Sequence, residues 1–230
     1  MRTSVISFLL AIVINVQNSW ALGLAVSPFR VVVTEPDKTG VFKIINESAQ
    51  PINVQLRATG WQQVNSEDQY PRTLDVFVNP PMAKLAPHSE RTVRFIRLAK
   101  TPIKEEETYK LIVDELPPDI STRKPDEVNF IARFIMPVFY VPKTKVAPNV
   151  TWSAKQSGNK LLLTAINNGN GHLKISEAKF YSGNKQLQIK KDFIAYVLRG
   201  ATMTFTIDGI TSKPNRFTFK NYDQLVDVPL

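Results

Sequence analysis

Apolar and polar residues alternate with a period of two along almost the whole chain. Short runs rich in Val, Ile and Phe, such as GVFKIIN at 40–46 and RTVRFIR at 91–97, are separated by Pro, Gly, Asn, Asp or Ser. A period of two is typical of β-strands, and many short strands at regular spacing predict a β-sandwich or barrel. Since no long amphipathic helix is indicated, we predict an all-β protein.

One segment interrupts this series of strands. Residues 142–148, PKTKVAP, combine two prolines with two lysines, which is typical of a linker. The strands before and after it occupy about 120 and about 80 residues, sizes that fit two immunoglobulin-like sandwiches. We therefore predict a first domain at 22–142 and a second at 143–230.

The first 21 residues have a different pattern. Arg2 precedes an apolar run from Val5 to Val16, and Ser19-Trp20-Ala21 follows it. This is the layout of a secretory signal peptide, here residues 1–21, with cleavage after Ala21. A short uncleaved anchor is the alternative, which the polar residues between the run and Ala21 disfavour. We therefore predict export from the cytoplasm.

Composition narrows the function classes. With 0 cysteines, the chain has no disulfide framework, cysteine nucleophile or thiolate metal site. The formal net charge is +9, but Lys and Arg are scattered among acidic residues, which favours a solvated surface over a nucleic-acid footprint. His88 and His172 lie in turn-like polar segments, where a surface position is favoured over a metal ligand or general base. Since motifs for nucleotide, zinc-protease or serine-hydrolase sites are absent, we predict no enzyme and no cofactor.

The stretch NFIARFIMPVFYVPK at 129–143 is almost entirely apolar. Proline cannot donate to a sheet ladder, so a strand that contains it belongs at an edge. Burying four large side chains is worth about 6–12 kcal/mol, and an edge strand this apolar needs a cover. Two covers remain open: the protein's own core and domain junction, or an incomplete β-partner that takes up the strand. The face of this strand that we consider for such a partner carries Val128, Phe130, Ala132, Phe134 and Met136.

From Leu24 onward the chain resembles the periplasmic chaperones of the chaperone-usher pilus pathway. The resemblance rests on LAVSPFRVVV at 24–33, NPPMAKLAPHSERTVRF at 79–95, YKLIVDELPP at 109–118 and FYVP at 139–142, whereas 143–230 share only a compatible β pattern. It implies two immunoglobulin-like domains in a boomerang. It also implies a periplasmic chaperone that binds pilus subunits by donor-strand complementation and delivers them to an outer-membrane usher. A secreted structural or adhesive β-sandwich is the alternative, and self-association of the free protein is left open.

In this family an arginine on the first strand and a lysine on the last strand of the first domain anchor the subunit's C-terminal carboxylate. Arg30 matches the arginine, but Pro137 stands at the lysine position. This departure resembles the archaic branch of the family. Because Arg133 lies four residues before Pro137, on the same strand face, it is the predicted substitute, and Lys143 is the next candidate.

Overall fold

The computed structural model describes residues 23–117 and 131–230, except for the side chains of residues 189–191. All regular secondary structure in these residues is β-strand. None of the described residues form a helix long and apolar enough to cross a membrane. The predicted signal peptide and the donor residues Val128 and Phe130 lie outside the described residues.

The strands up to the linker are β1 (Leu24–Ser27), β2 (Val31–Thr34), β3 (Thr39–Asn46), β4 (Ile52–Gly60), β5 (Gln62–Val64), β6 (Glu67–Gln69), β7 (Val76–Asn79), β8 (Met82–Leu85), β9 (Glu90–Arg97), β10 (Glu107–Leu116) and β11 (Arg133–Val141). Those after it are β12 (Val150–Ser157), β13 (Lys160–Asn167), β14 (Leu173–Ser182), β15 (Lys185–Val197), β16 (Thr202–Asp208), β17 (Arg216–Asn221) and β18 (Gln224–Pro229).

The strands before the linker form a sandwich of two sheets. One sheet has the order β1-β3-β9-β7 and the other the order β2-β11-β10-β4-β8. Along β3, buried and exposed residues alternate, so that Phe42 and Ile44 face the interior. They pack with Phe95 and Tyr140 in one apolar core between the sheets. The period of two in the sequence therefore corresponds to one inward and one outward face on each strand.

The strands after the linker form a second sandwich, with sheets β12-β13-β16 and β15-β14-β17-β18. Its core is centred on Phe180, Phe217 and Phe219. Gly158 adopts a φ of 59° in the tight turn between β12 and β13, a conformation that glycine adopts readily. The all-β architecture predicted from the sequence is confirmed. The domain boundary between residues 142 and 143 lies in the connection from β11 to β12 and stays a prediction.

A buried asparagine occupies the same place in both sandwiches. Asn46 ends β3 and Asn167 ends β13, and both are fully buried. The side-chain amide of each donates hydrogen bonds to three backbone carbonyls, and its carbonyl oxygen accepts a backbone N–H from a neighbouring loop. Each asparagine therefore satisfies loop groups that the strand ladders cannot reach.

The two sandwiches share an aromatic junction. Phe139 of β11 and Trp61, which follows β4, pack into the core of the second sandwich. The side chain of Gln63 on β5 also donates to the carbonyl of Tyr196 at 2.9 Å and accepts from the backbone N–H of Leu198 at 2.8 Å. Side chains of the first sandwich therefore hold the second one directly.

Candidate functional site

Three residues form a row on the outer face of the sheet that contains β11. Lys110 on β10 pairs with Pro137 on β11. β2 runs parallel to β11 and places Val31 beside Val138, so the same register brings Arg30, the residue directly before β2, next to Pro137. Neighbouring strands are about 4.8 Å apart, so the backbones of Arg30 and Lys110 flank Pro137 at a separation of about 10 Å.

Lys110 is a buried cation in this row. Only 7% of the residue is exposed, and its Nζ lies 3.4 Å from the centre of the Trp61 ring. Burial lowers the pKa of Lys110 to about 8. Among the described residues, its ammonium has neither a hydrogen-bond partner nor an ion pair. Thr59 on β4 pairs with Lys110, and its hydroxyl is likewise buried without a hydrogen-bond partner among the described residues. The site thus offers an ammonium and a hydroxyl that can donate to an anion.

Arg30, at the other end of the row, is exposed and contacts the second sandwich. Its guanidinium carbon lies 4.0 Å from the centre of the Tyr222 ring. The hydroxyl of Tyr222 is hydrogen-bonded to Nε2 of His172. Arg30 is therefore connected to the domain junction through an aromatic ring.

His172 is a central residue of that junction. Its ring stacks on Phe139 with centroids 3.7 Å apart, and its Nδ1 lies 2.8 Å from Oε2 of Glu106. The side chain of His172 is only 8% exposed, so the predicted surface position is wrong for this histidine. The turn context did not reveal the aromatic and acidic partners that come from the other sandwich. His88 lies exposed in a turn, as predicted.

One edge of β11 is open over the first half of the strand. β2 pairs with β11 only from Val138 onward, so within the described residues 133–137 have no strand on that side. Two apolar side chains beside this edge are exposed, Ile131 by 49% and Ile135 by 38%, and the exposed Arg133 lies between them. Phe29 is 54% exposed and contacts Phe134 with ring centroids 6.3 Å apart. An open backbone edge beside exposed apolar side chains can accept an additional strand.

Of the described donor-strand candidates, Phe134 and Met136 lie on the inner face of β11 and Ala132 directly precedes this strand. Ala132 and Met136 are buried in the first core, and Phe134 is partly buried against it. The described part of this face therefore joins the chain's own core. Contact of these five residues with a partner stays a prediction.

The two other predicted anchors lie outside the row of Arg30, Pro137 and Lys110. Arg133 forms an ion pair with Asp114, which Arg57 also contacts. Burial opposes ionisation of Asp114, but the hydrogen bonds from both guanidinium groups outweigh it and lower its pKa. Arg133 is four residues from Pro137, or about 13 Å along the strand.

Lys143 follows the end of β11 and lines a pocket of mixed charge that also includes Lys38, Lys100, Glu35 and Asp37. The anchor roles of Arg133 and Lys143 stay predictions. Lys110 was not among the predicted site residues. Its signal in the sequence is one lysine at an outward position of the apolar strand YKLIV at 109–113. Within the described residues, no three His, Asp or Glu side chains converge as a metal site would require.

The described residues thus form two β-sandwiches joined at an aromatic junction, with one backbone edge of β11 open over its first half. Residues 23–145, more than half of the chain, match the family model described as pili and flagellar-assembly chaperone, PapD N-terminal domain. The chain belongs to this family of periplasmic pilus chaperones. A search of curated protein sequences found no match.

Solved structures show the same fold. In the complex of the CsuC chaperone with the CsuE tip subunit from archaic Csu pili of Acinetobacter baumannii, the matched chain is 23% identical, with a TM-score of 0.71 over 89% of this chain and 97% of that one. The match in the complex of the Salmonella enterica SafA pilin with the SafB chaperone is 15% identical, with a TM-score of 0.66 over 92% of this chain and 98% of that one. The Escherichia coli chaperone DraB is 18% identical, with a TM-score of 0.62 over 90% of this chain and 96% of that one. The two immunoglobulin-like domains predicted from the resemblance are thereby confirmed.

Proposed function

We propose that this chain captures pilus subunits in the periplasm by donor-strand complementation. The observation that carries the proposal is the open edge of β11 beside exposed Ile131 and Ile135. An extended segment of a subunit can pair with the backbone there, while apolar side chains of the chaperone strand enter the subunit's incomplete core. By alternation from Met136 and Ala132, the side chains that enter the subunit are those of Phe130 and Val128.

The row of Arg30, Pro137 and Lys110 is the proposed end point of the captured strand. A C-terminal carboxylate placed above Pro137 can accept hydrogen bonds from the guanidinium on one side and the ammonium on the other. The Thr59 hydroxyl adds a third donor. Arg133 and Lys143 remain the alternative cations for this anchor. The apolar strand supplies most of the affinity, and the anchored carboxylate sets the register of pairing.

Delivery of the captured subunit to an outer-membrane usher belongs to the same proposal. The family and fold are those of chaperones, and we infer that the chain catalyses no reaction and uses no cofactor. Release then occurs when a strand from a neighbouring subunit replaces the chaperone's strand, because the completed subunit is the more stable product.

The experiment is copurification from the periplasm of the source cells. We expect the tagged wild-type chain to carry small β-rich subunits identified by mass spectrometry. Ile135→Asp and Phe130→Asp should each lose them: the Phe130 variant places a carboxylate among side chains proposed to enter the subunit's core, and the Ile135 variant places one beside the backbone edge where the subunit is proposed to pair. Ile194→Asp, at an exposed position of the second sandwich, is the matched control and should retain them. Full copurification with both strand variants would exclude the donor-strand assignment.

A further inference from the structure

We propose that Tyr222 is a positioning residue, whose ring in the second sandwich orients the Arg30 guanidinium for the subunit's carboxylate. This inference rests on the proposed function of the cleft. It assigns to the second sandwich a role in capture, although Tyr222 itself need not touch the subunit.

The first support is the geometry of the pair. The Arg30 guanidinium carbon is 4.0 Å from the Tyr222 ring centre, well within the range of a cation–π contact. Arg30 is exposed and has no ion pair among the described residues. A free arginine side chain samples many rotamers, so the ring limits the loss of entropy when the guanidinium binds an anion.

The second support is the backbone at Tyr222. This residue lies in the tight turn between β17 and β18 and has a φ of 55°. Gly, Asn and Asp are favoured at such left-handed positions, whereas a bulky aromatic residue is unusual. Strain of this kind is concentrated at functional sites. Tyrosine at this position therefore indicates that the side chain has a role that the turn alone does not explain.

The third support is the fixed orientation of the ring. The Tyr222 hydroxyl is bonded to His172, whose other ring nitrogen lies 2.8 Å from Glu106. Glu106 also accepts the backbone N–H of His172 at 2.8 Å. Burial raises the pKa of Tyr222 to about 12, so the phenol stays neutral at physiological pH and keeps this bond. The ring that faces Arg30 is thus held by a chain of contacts that crosses the domain junction.

The test is a double-mutant cycle with a subunit recovered by the wild-type chain. Tyr222→Leu removes the ring and should weaken subunit affinity about three- to thirtyfold, whereas Tyr222→Phe keeps the ring and should restore most of it. In an Arg30→Ala background, Tyr222→Leu should cause no further loss, because a positioning residue acts only through its target. Tyr181→Leu removes a ring 4.5 Å from Arg216 and is the matched control without effect on capture.

A second measurement uses the free protein. Ring current from Tyr222 should shift the side-chain NMR signals of Arg30, and Tyr222→Leu should abolish this shift. Three results would each overturn the inference: absence of the shift, a Tyr222→Leu loss that is equal with and without Arg30→Ala, or a Tyr222→Phe defect as large as that of Tyr222→Leu. A wild-type chain that captures no subunit would instead overturn the proposed function, while the NMR shift would still report the contact between Arg30 and Tyr222.

Discussion

Lys110 and Pro137 face each other across β10 and β11, on the side of the sheet that also bears Arg30. A cation on β10 can therefore reach the space above Pro137 from the neighbouring strand. The resemblance to the family led us to expect a basic residue on β11 itself. In this chain, the register of the sheet places the second cation one strand away while keeping it on the same face.

Lys110→Met is expected to separate subunit capture from stability. It should weaken capture about tenfold or more through loss of a charged hydrogen bond. It should also stabilise the free chaperone by about 1 kcal/mol, because a desolvated ammonium without an anionic partner is removed. Capture is measured by subunit titration and stability by urea unfolding.

Lys84→Met is the matched control for this variant, since Lys84 is exposed at the far edge of the same sheet. It should change neither quantity. If Lys110→Met captured subunits as well as the wild type, Lys110 would have no part in the anchor.

Capture should weaken as the pH rises above about 8. The pKa of Lys110 is lowered by burial to about 8, so above this value the free chaperone carries a neutral amine at the anchor. A bound carboxylate favours the ammonium, and binding therefore takes up a proton in this range. The measurement is the dissociation constant between pH 7 and pH 10, with Lys110→Met expected to show no such decline.

The same group has the opposite effect on folding. Its pKa lies below the ordinary value of 10.5, so between pH 8 and 10.5 the unfolded chain binds a proton that the folded chain lacks. Its contribution to the free energy of unfolding therefore rises with pH in this window. Stability and capture that fell together above pH 8 would contradict the assignment of both effects to Lys110.

The alternation of apolar residues was sufficient to predict most strands, because burial on one face imposes a period of two. GVFKIIN became β3 and RTVRFIR became β9, each with boundaries within one residue. The hairpin of β5 and β6 was missed, since its residues are polar and its partner is the second sandwich.

The candidate site could be predicted only in part. The resemblance suggests Arg30 as an anchor, which stays a prediction, and the proline in an apolar strand indicates the open edge. Lys110 was missed because strand pairing over long sequence separations is not readable from one sequence. Arg133 was favoured because it shares a strand face with Pro137, but its ion pair with Asp114 depends on the same unpredicted pairing. The burial of His172 likewise results from contacts between the two sandwiches.

Arg30→Ala should weaken capture more than Arg133→Ala. Arg30 lies beside Pro137 without an ion pair among the described residues, whereas Arg133 is engaged by Asp114. We expect a loss of about tenfold or more for Arg30→Ala and less than threefold for Arg133→Ala, measured by subunit titration. The reverse order would restore Arg133 as the anchor, and equal small losses would leave the carboxylate without a role in affinity.

The two buried asparagines provide a test of the fold that is independent of capture. Asn46→Ala and Asn167→Ala each remove an amide that donates to three backbone carbonyls, which leaves buried acceptors without partners. We expect each substitution to lower the free energy of unfolding by about 2–4 kcal/mol in urea titrations.

Asn53→Ala, at an exposed position on β4, is the control and should change the free energy of unfolding by less than about 0.5 kcal/mol. A loss below about 1 kcal/mol for either buried asparagine would mean that its loop carbonyls find other donors. Asn46 and Asn167 bond loops of different sandwiches. The losses in free energy of unfolding should therefore add in the double variant.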